Sequence, residues 1–245
     1  MPEIAVITAN TGKFEKERVW TEQTVSCDFH KFTDDTFPPR KAALTPRLQA
    51  RIPKMFAWQL VPDYKYYIWV DSSMSVPSSD MAKWFLEKLG DYDAVFFKHP
   101  KRTTLASEAE FIKQKLQEKD YYITPRYANE LIDEELAEIQ ADKDYTDNLL
   151  LASTIFMYRN TDTVHTLMKE WWYHTSRYHI IDQLGLPYAI YKSKCNVKIL
   201  DDNYTKLEHL KHVRKTFYKN VWRNDDGVIY KSERPKSDDK YLKIT

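Results

Sequence analysis

The stretch Tyr66-Tyr67-Ile68-Trp69-Val70-Asp71-Ser72-Ser73-Met74 constrains this chain more than any other. Five consecutive apolar or aromatic residues, rich in β-formers, suit a central strand covered on both faces. The run stops on one carboxylate and two hydroxyls. In open α/β sheets ligands bind outside the carboxyl ends of the strands, so Asp71 and Ser72 are placed to meet one. Asp71 supplies a hard anionic oxygen, and Ser73 a neutral one on the same side two residues later. That pair suits Mg²⁺ or Mn²⁺ bridging a phosphorylated substrate, because these ions prefer oxygen ligands and keep several waters. An ordinary turn or helix cap after a strand uses the same residue types and is the alternative.

At 245 residues the chain can bury a full core, and one α/β domain is expected over residues 1–223, followed by a polar tail over 224–245. Lys plus Arg number 37 against 36 Asp plus Glu, so no global field demands nucleic acid or an acidic membrane, and any anion site is local. The four glycines, Gly12, Gly90, Gly185 and Gly227, are too scattered for a dinucleotide fingerprint or a Walker phosphate loop. Cys27 and Cys195 have no paired spacing for zinc or redox work, which implies reducing surroundings. With no membrane-length apolar run and no leader pattern, the expectation is a soluble cytoplasmic protein without a membrane span.

Along the chain, residues 4–7 read as a first parallel strand opening into a loop at Thr8-Ala9-Asn10, which can face a base or ribose or be a plain turn. Residues 27–32 read as a second strand. Thr45-Pro46 caps and opens a helix running towards Leu60, with a kink expected at Pro53. Arg51 and Lys54, three residues apart, share a face of that helix and can both reach a diphosphate, or form a solvated basic face. A helix from Met81 packs on the sheet. Residues 94–97 are a buried strand ending on Lys98-His99-Pro100-Lys101-Arg102, a cluster able to bind sugar hydroxyls or phosphate; His99 can equally be a satisfied loop histidine.

Ser107 and Glu110 read as a capping box, and Pro125 as the start of one helix carrying Ala128, Leu131, Ile132, Leu136 and Ile139. Residues 153–158 are a strand, and residues 161–172 a helix whose Trp171-Trp172 pair belongs chiefly to the core. Asp182-Gln183, set among apolar residues, are costly to bury unless backbone or a ligand's hydroxyls satisfy them. Residues 196–200 form a last strand. From 206 to 223 the balance turns basic, with Phe217, Tyr218 and Trp222 interleaved; a solvated helix, closure over a phosphorylated donor, or contact with nucleic acid all fit.

Taken in order, Arg51-Ile52-Pro53-Lys54, Ile68-Trp69-Val70-Asp71, Lys98-His99-Pro100-Lys101-Arg102 with Glu108, and Trp171-Trp172 followed by Asp182-Gln183-Leu184 resemble a small family of glycosyltransferase-like proteins with the GT-A fold, from plants, bacteria and large viruses. The resemblance covers most of the chain to about residue 203. It implies a single GT-A (nucleotide-diphospho-sugar transferase) domain, with a mostly parallel central sheet flanked by helices. It also implies hexosyl transfer from a UDP- or GDP-sugar to a hydroxyl of a glycan or glycoconjugate, with Mn²⁺ or Mg²⁺ as cofactor and no nucleic-acid partner. The Asp-x-Asp motif of GT-A enzymes would be Asp71-Ser72-Ser73 here, so the second carboxylate is missing. His209, His212, Asn203 and Asp202 are candidates to complete a metal shell. Thr8, Ala9, Asn10, Arg51, Lys54, Asp71 and Ser72 are the candidate donor-binding residues, and His99, Arg102 and Gln183 the candidates to meet sugar or acceptor. Asp182 is the candidate general base if configuration inverts, or otherwise orients the donor sugar. A GT-A-like module that binds nucleotide sugar or glycan without turnover is the alternative function.

Overall fold

The structure is a computed structural model that describes residues 2–13, 20–120, 122–212, 219–223 and 229–233, with backbone alone at 13, 212, 219–223 and 229–233. Its strands and helices follow the alternation of apolar runs with amphipathic segments. They are β1 (Ile4–Asn10), β2 (Cys27–Thr33), α1 (Pro46–Leu60), β3 (Tyr66–Val70), β4 (Met74–Ser75), α2 (Met81–Leu89) and β5 (Ala94–Lys98). Then come α3 (Leu105–Gln117), α4 (Thr124–Tyr127), α5 (Ile132–Ala141), β6 (Leu151–Arg159), α6 (Asp162–Arg177), α7 (Asp182–Ser193) and β7 (Val197–Leu200). The short strands β8 (Lys211–His212), β9 (Lys219–Arg223) and β10 (Ile229–Glu233) follow.

Six strands form the central sheet in the order β2-β1-β3-β6-β5-β7. All are parallel except β6, which runs antiparallel to both of its neighbours. Because strand side chains alternate between faces, β3 sends Tyr67 and Trp69 to one core and Ile68 and Val70 to the other. Strand β6 does the same with Phe156 and Tyr158 against Ile155 and Met157. Helices α1, α6 and α7 cover the first face with Met55, Leu167, Trp171 and Leu186, while α2 covers the second with Met81, Phe85 and Leu89. Burial on both faces is why β3 reads as an unbroken apolar run. Trp171 is fully buried and Trp172 packs beside it, as the spacing predicts.

Helix α1 begins where Thr45-Pro46 predicts: the Thr45 hydroxyl accepts the Leu48 N–H, and proline takes the first turn. The expected kink falls at Phe56, three residues beyond Pro53, where φ reaches −123°.

Four expectations change. Strand β1 continues through Asn10 beside β2, so Thr8, Ala9 and Asn10 are strand residues and not a loop. Thr104, not Ser107, is the N-cap of α3, with Ser107 as its reciprocal partner. The single helix after Pro125 is two, because Ala128 is extended and Asn129 is left-handed at φ 67°, which stops α4 before α5 begins. In the basic segment the described residues form a 3-10 turn (Tyr204–Lys206) and strands β8 and β9 in place of a helix. Phe217 and Tyr218 lie outside the described residues.

The expected boundary at 223 falls between β9 and β10, which pair with each other; residues 234–245 of the expected tail lie outside the described residues. Among the described residues no helix is long and apolar enough to cross a membrane.

Candidate active site

Strand order reverses at β1, which has β2 on one side and β3 on the other, and such a reversal leaves a crevice at the carboxyl ends of the strands. A cleft of about 380 Å³ lies there. Ala9, Asn10 and Thr11 from the end of β1, and Asp71, Ser72 and Ser73 from the end of β3, line it together. Arg47 and Arg51 enter from α1, Ser153 and Thr154 from β6, Asp182 and Gln183 from α7, and Arg102 and Glu108 from the β5–α3 connection and α3. Segments far apart in sequence thus converge on one site.

Two hydrogen bonds fix Asp71. Its backbone N–H extends the sheet ladder to the Thr154 carbonyl at 2.9 Å. Its Oδ1 accepts the Trp69 indole N–H at 2.7 Å and lies 3.7 Å from the Lys54 ammonium. The side chain remains 31% exposed towards the cleft.

Asp182 forms the centre of the floor. Its Oδ2 accepts from Lys54 Nζ at 2.6 Å and pairs with Arg51 Nε at 2.9 Å, and its Oδ1 accepts from Ser153 Oγ at 2.9 Å. The Trp171 indole N–H donates to the Asp182 carbonyl, tying the first turn of α7 to α6. Burial raises the Asp182 carboxyl, but the Arg51 and Lys54 charges, with the Lys54 and Ser153 hydrogen bonds, outweigh it and hold the group below its ordinary value. Burial likewise works against the Arg51 charge, and Asp182 and Asp71 more than offset it. An ionised carboxylate with both oxygens engaged and a lowered pKa is a poor proton acceptor. The geometry therefore does not suit Asp182 as general base; it suits the other expectation, a fixed negative charge that orients.

Glu108 is a second organising carboxylate. It accepts from Arg102 Nε on one oxygen and from Gln183 Nε2 at 2.5 Å on the other, which brings Arg102 and Gln183 together at the edge of the cleft.

Three predicted residues sit elsewhere. Lys54 is only 1% exposed and does not line the cleft, because its charge is held between Asp182 and Asp71 beneath the floor. Thr8 is buried within β1 and does not line the cleft. His99 also stays out of it: its Nδ1 accepts the Arg102 N–H at 3.0 Å, closing its own loop. Burial lowers the His99 pKa against the pull of Glu108, in keeping with a neutral ring whose Nδ1 accepts.

Sequence reasoning overlooked Ser153, Trp69 as the holder of Asp71, and the wall formed by Phe111, Tyr122, Arg126 and Tyr127. Ser153 had one signal, a hydroxyl interrupting an apolar strand. Arg126 had none.

The cofactor expectation can be tested on the donors present. Asp71 offers one oxygen beyond its bond to Trp69, and Ser73 a hydroxyl. His209 Nδ1 is 3.0 Å from Ser78 Oγ, and Asn203 Oδ1 caps the 3-10 turn at Thr205. Asp202 is exposed. His212 pairs with Met74 through its backbone, and its side chain lies outside the description. Among the described residues no three His, Cys, Asp or Glu groups are arranged to hold an ion. Arg51, Lys54, Asp71 and Asp182 sum formally to zero charge, and the ammonium beside Asp71 repels a cation. The described donor set does not fit a resident divalent ion.

A mostly parallel α/β sheet whose switch-point cleft gathers arginines, a strand-end aspartate and buried carboxylates defines the GT-A-like class that the sequence resembles. The chain belongs to the TOD1/MUCI70 glycosyltransferase-like domain family, whose pattern it matches over residues 42–218. Solved structures with a similar chain course include a glycosyltransferase involved in the glycosylation of the major capsid of PBCV-1, at 9% identity, 82% coverage of each chain and a TM-score of 0.42. The bifunctional glycosyltransferase WbbM is 12% identical, with 81% of this chain and 39% of that one covered and a TM-score of 0.43. Mouse xyloside xylosyltransferase 1 is 9% identical, with 82% and 85% covered and a TM-score of 0.39. These are likenesses of chain course only. No curated protein matches the chain.

Proposed function

We propose that the protein transfers a hexosyl group from a UDP- or GDP-sugar to a hydroxyl of a glycan or glycoconjugate. The observation that carries this reading is the meeting of Asn10, Arg51, Asp71 and Gln183 in one cleft at the switch point of a chain that belongs to a glycosyltransferase-like family. The nucleoside lies against Ala9, Asn10 and Thr11 at the end of β1. Asp71, with its outer oxygen directed to the cleft, accepts from donor hydroxyls, and Ser72 and Ser73 stand beside it. The diphosphate faces Arg51, and the acceptor lies towards Arg102, Glu108 and Gln183.

In the transfer, the bond from the anomeric carbon to the diphosphate breaks with its electron pair passing to the leaving oxygen. The acceptor oxygen bonds the anomeric carbon, and its proton passes to solvent or to the departing diphosphate. Positive charge on the ring and negative charge on the leaving group grow together. The buried Asp182 carboxylate suits the first and the Arg51 guanidinium the second. The two cysteines are both free thiols, which suits a reducing cytoplasmic setting.

The test is release of UDP or GDP from a panel of nucleotide sugars offered with glycan acceptors. Asp71→Asn should lower release at least about a hundredfold, the scale of losing a charge-assisted contact made in the transition state. Unchanged release in that variant would remove Asp71 from the mechanism. A second reading, binding of nucleotide sugar or glycan without turnover, is favoured by the full engagement of both Asp182 oxygens. Tight donor binding with no release on any acceptor would select it.

A further inference from the structure

Helix α1 presents Arg47, Arg51 and Lys54 along one face, at helical spacings of four and three residues. The face points at the end of β3. Arg47 and Arg51 line the cleft, and Lys54 lies beneath it. Lys54 Nζ is 2.6 Å from Asp182 and 3.7 Å from Asp71, so a resident cation already stands between the two carboxylates of the floor. Arg51 is 21% exposed; its Nε pairs with Asp182 and its Nη2 donates to the Ile180 carbonyl at 3.4 Å. The ion pair to Asp182 and the hydrogen bond to Ile180 hold the guanidinium at the edge of the cleft.

On the reading that the cleft takes a nucleotide sugar, we propose that the donor diphosphate is bound and neutralised without a divalent ion, by Arg51 held in place over the Lys54 ammonium. A divalent ion at a strand-end aspartate normally stands between that carboxylate and the phosphates, and it needs net negative charge to draw it in. Here Asp71 has given one oxygen to Trp69, and the four charged groups of the floor cancel before any ligand arrives. An incoming diphosphate meets a guanidinium held by one ion pair and one hydrogen bond, and such a planar, pre-organised cation suits phosphate oxygens. The electron pair left on the diphosphate when the sugar departs is then stabilised by a cation that the chain itself carries. Asp182 acts through Arg51 as a positioning residue.

The experiment is calorimetric titration of the full chain with UDP and with GDP, in excess EDTA and again in excess MnCl₂, with bound Mn²⁺ counted independently by electron paramagnetic resonance. The inference expects the tighter nucleotide to bind in EDTA within about threefold of its affinity in Mn²⁺. It also expects free Mn²⁺ to remain undiminished when nucleotide is added. Arg51→Gln in EDTA should weaken binding about tenfold or more, as expected for loss of a charge-assisted contact. Should that variant fail to fold, the EDTA and Mn²⁺ arms on the natural chain still decide. Binding that appears only with Mn²⁺, with one ion taken up per nucleotide, overturns the inference and leaves the donor reading standing. No binding of either nucleotide under both conditions overturns the donor reading and the inference with it.

Discussion

The Lys54 ammonium lies 2.6 Å from Asp182 Oδ2 and joins helix α1 to the first turn of α7 beneath the floor of the cleft. Both side chains are almost wholly buried, and the ammonium is packed near the Trp69, Trp171 and Phe156 rings. A buried pair of this kind adds little compared with an apolar pair of the same shape, but breaking it from one side strands a charge. Its consequence here is precise placement of Asp182 and Arg51.

Lys54→Met therefore leaves Asp182 with one cation fewer and should destabilise the fold by about 3–5 kcal/mol. Urea denaturation measures this. Adding Asp182→Asn to Lys54→Met removes the stranded charge, so the double variant should be more stable than the two single losses summed. Simple additivity would show that the two groups do not act as a pair.

Stability should fall in acid, and the sign follows from two depressed carboxyls. Asp182, ordinarily near 3.8, is held lower by Arg51 and Lys54 against the effect of burial. Glu135, ordinarily near 4.5, is held lower by His174 and His179, again against burial. A group whose folded pKa is depressed contributes stability above its unfolded value and loses it as pH falls through the folded value. The loss should thus begin below about 4.5 and deepen below 3.8. Melting temperature followed against pH should show it, and Asp182→Asn should flatten the part below 3.8. An identical acid limb in that variant would contradict the assignment.

How much of this was legible in the chain depends on whether the signal was local. Strand β3 and its terminal Asp71 were readable because burial on both faces leaves an unbroken apolar run. The start of α1 was readable because Thr45-Pro46 caps it chemically. The break between α4 and α5 was not, since it rests on the extended Ala128 and the left-handed Asn129 inside a helical pattern. Lys54 looked like a ligand-facing cation because spacing gives the helix face but not the depth; only Asp182, 128 residues away, explains its burial. The cluster of Glu135, His174 and His179 draws on α5, α6 and the turn before α7 and had no local mark at all. Arg126, on the cleft wall, follows a proline that signalled only a helix start.

Gly185 tests that cluster. A Cβ built there would stand 2.7 Å from His174 Cβ and 2.9 Å from Glu135 Oε1. Gly to Ala inside a helix ordinarily stabilises by about 1 kcal/mol. Here overpacking against a rigid neighbour should reverse the sign, for a net loss of about 1–3 kcal/mol in Gly185→Ala. Denaturation with the natural chain alongside gives the answer. A gain in stability would mean that α7 can move away from α6 freely.

The Trp69 indole, which lines the cleft beside Asp71, supplies the last prediction because its N–H controls where that carboxylate points. Its N–H donates to Asp71 Oδ1 at 2.7 Å, from two residues earlier on the same strand. Trp69→Phe keeps an aromatic ring in the core while deleting that donor. The Lys54 ammonium, at 3.7 Å, is then the cation paired with Asp71 Oδ1 among the described residues, and closing that gap draws the carboxylate down and away from the cleft. The fold should lose about 1–2 kcal/mol, the scale of one hydrogen bond to a charged group. Sugar transfer should fall about tenfold, equivalent to 1.4 kcal/mol of misplaced binding. Circular dichroism and nucleotide-release assays on the same preparation separate the two effects. If release is unchanged while stability falls as stated, the indole serves the core alone and Asp71 is oriented by the ladder to Thr154.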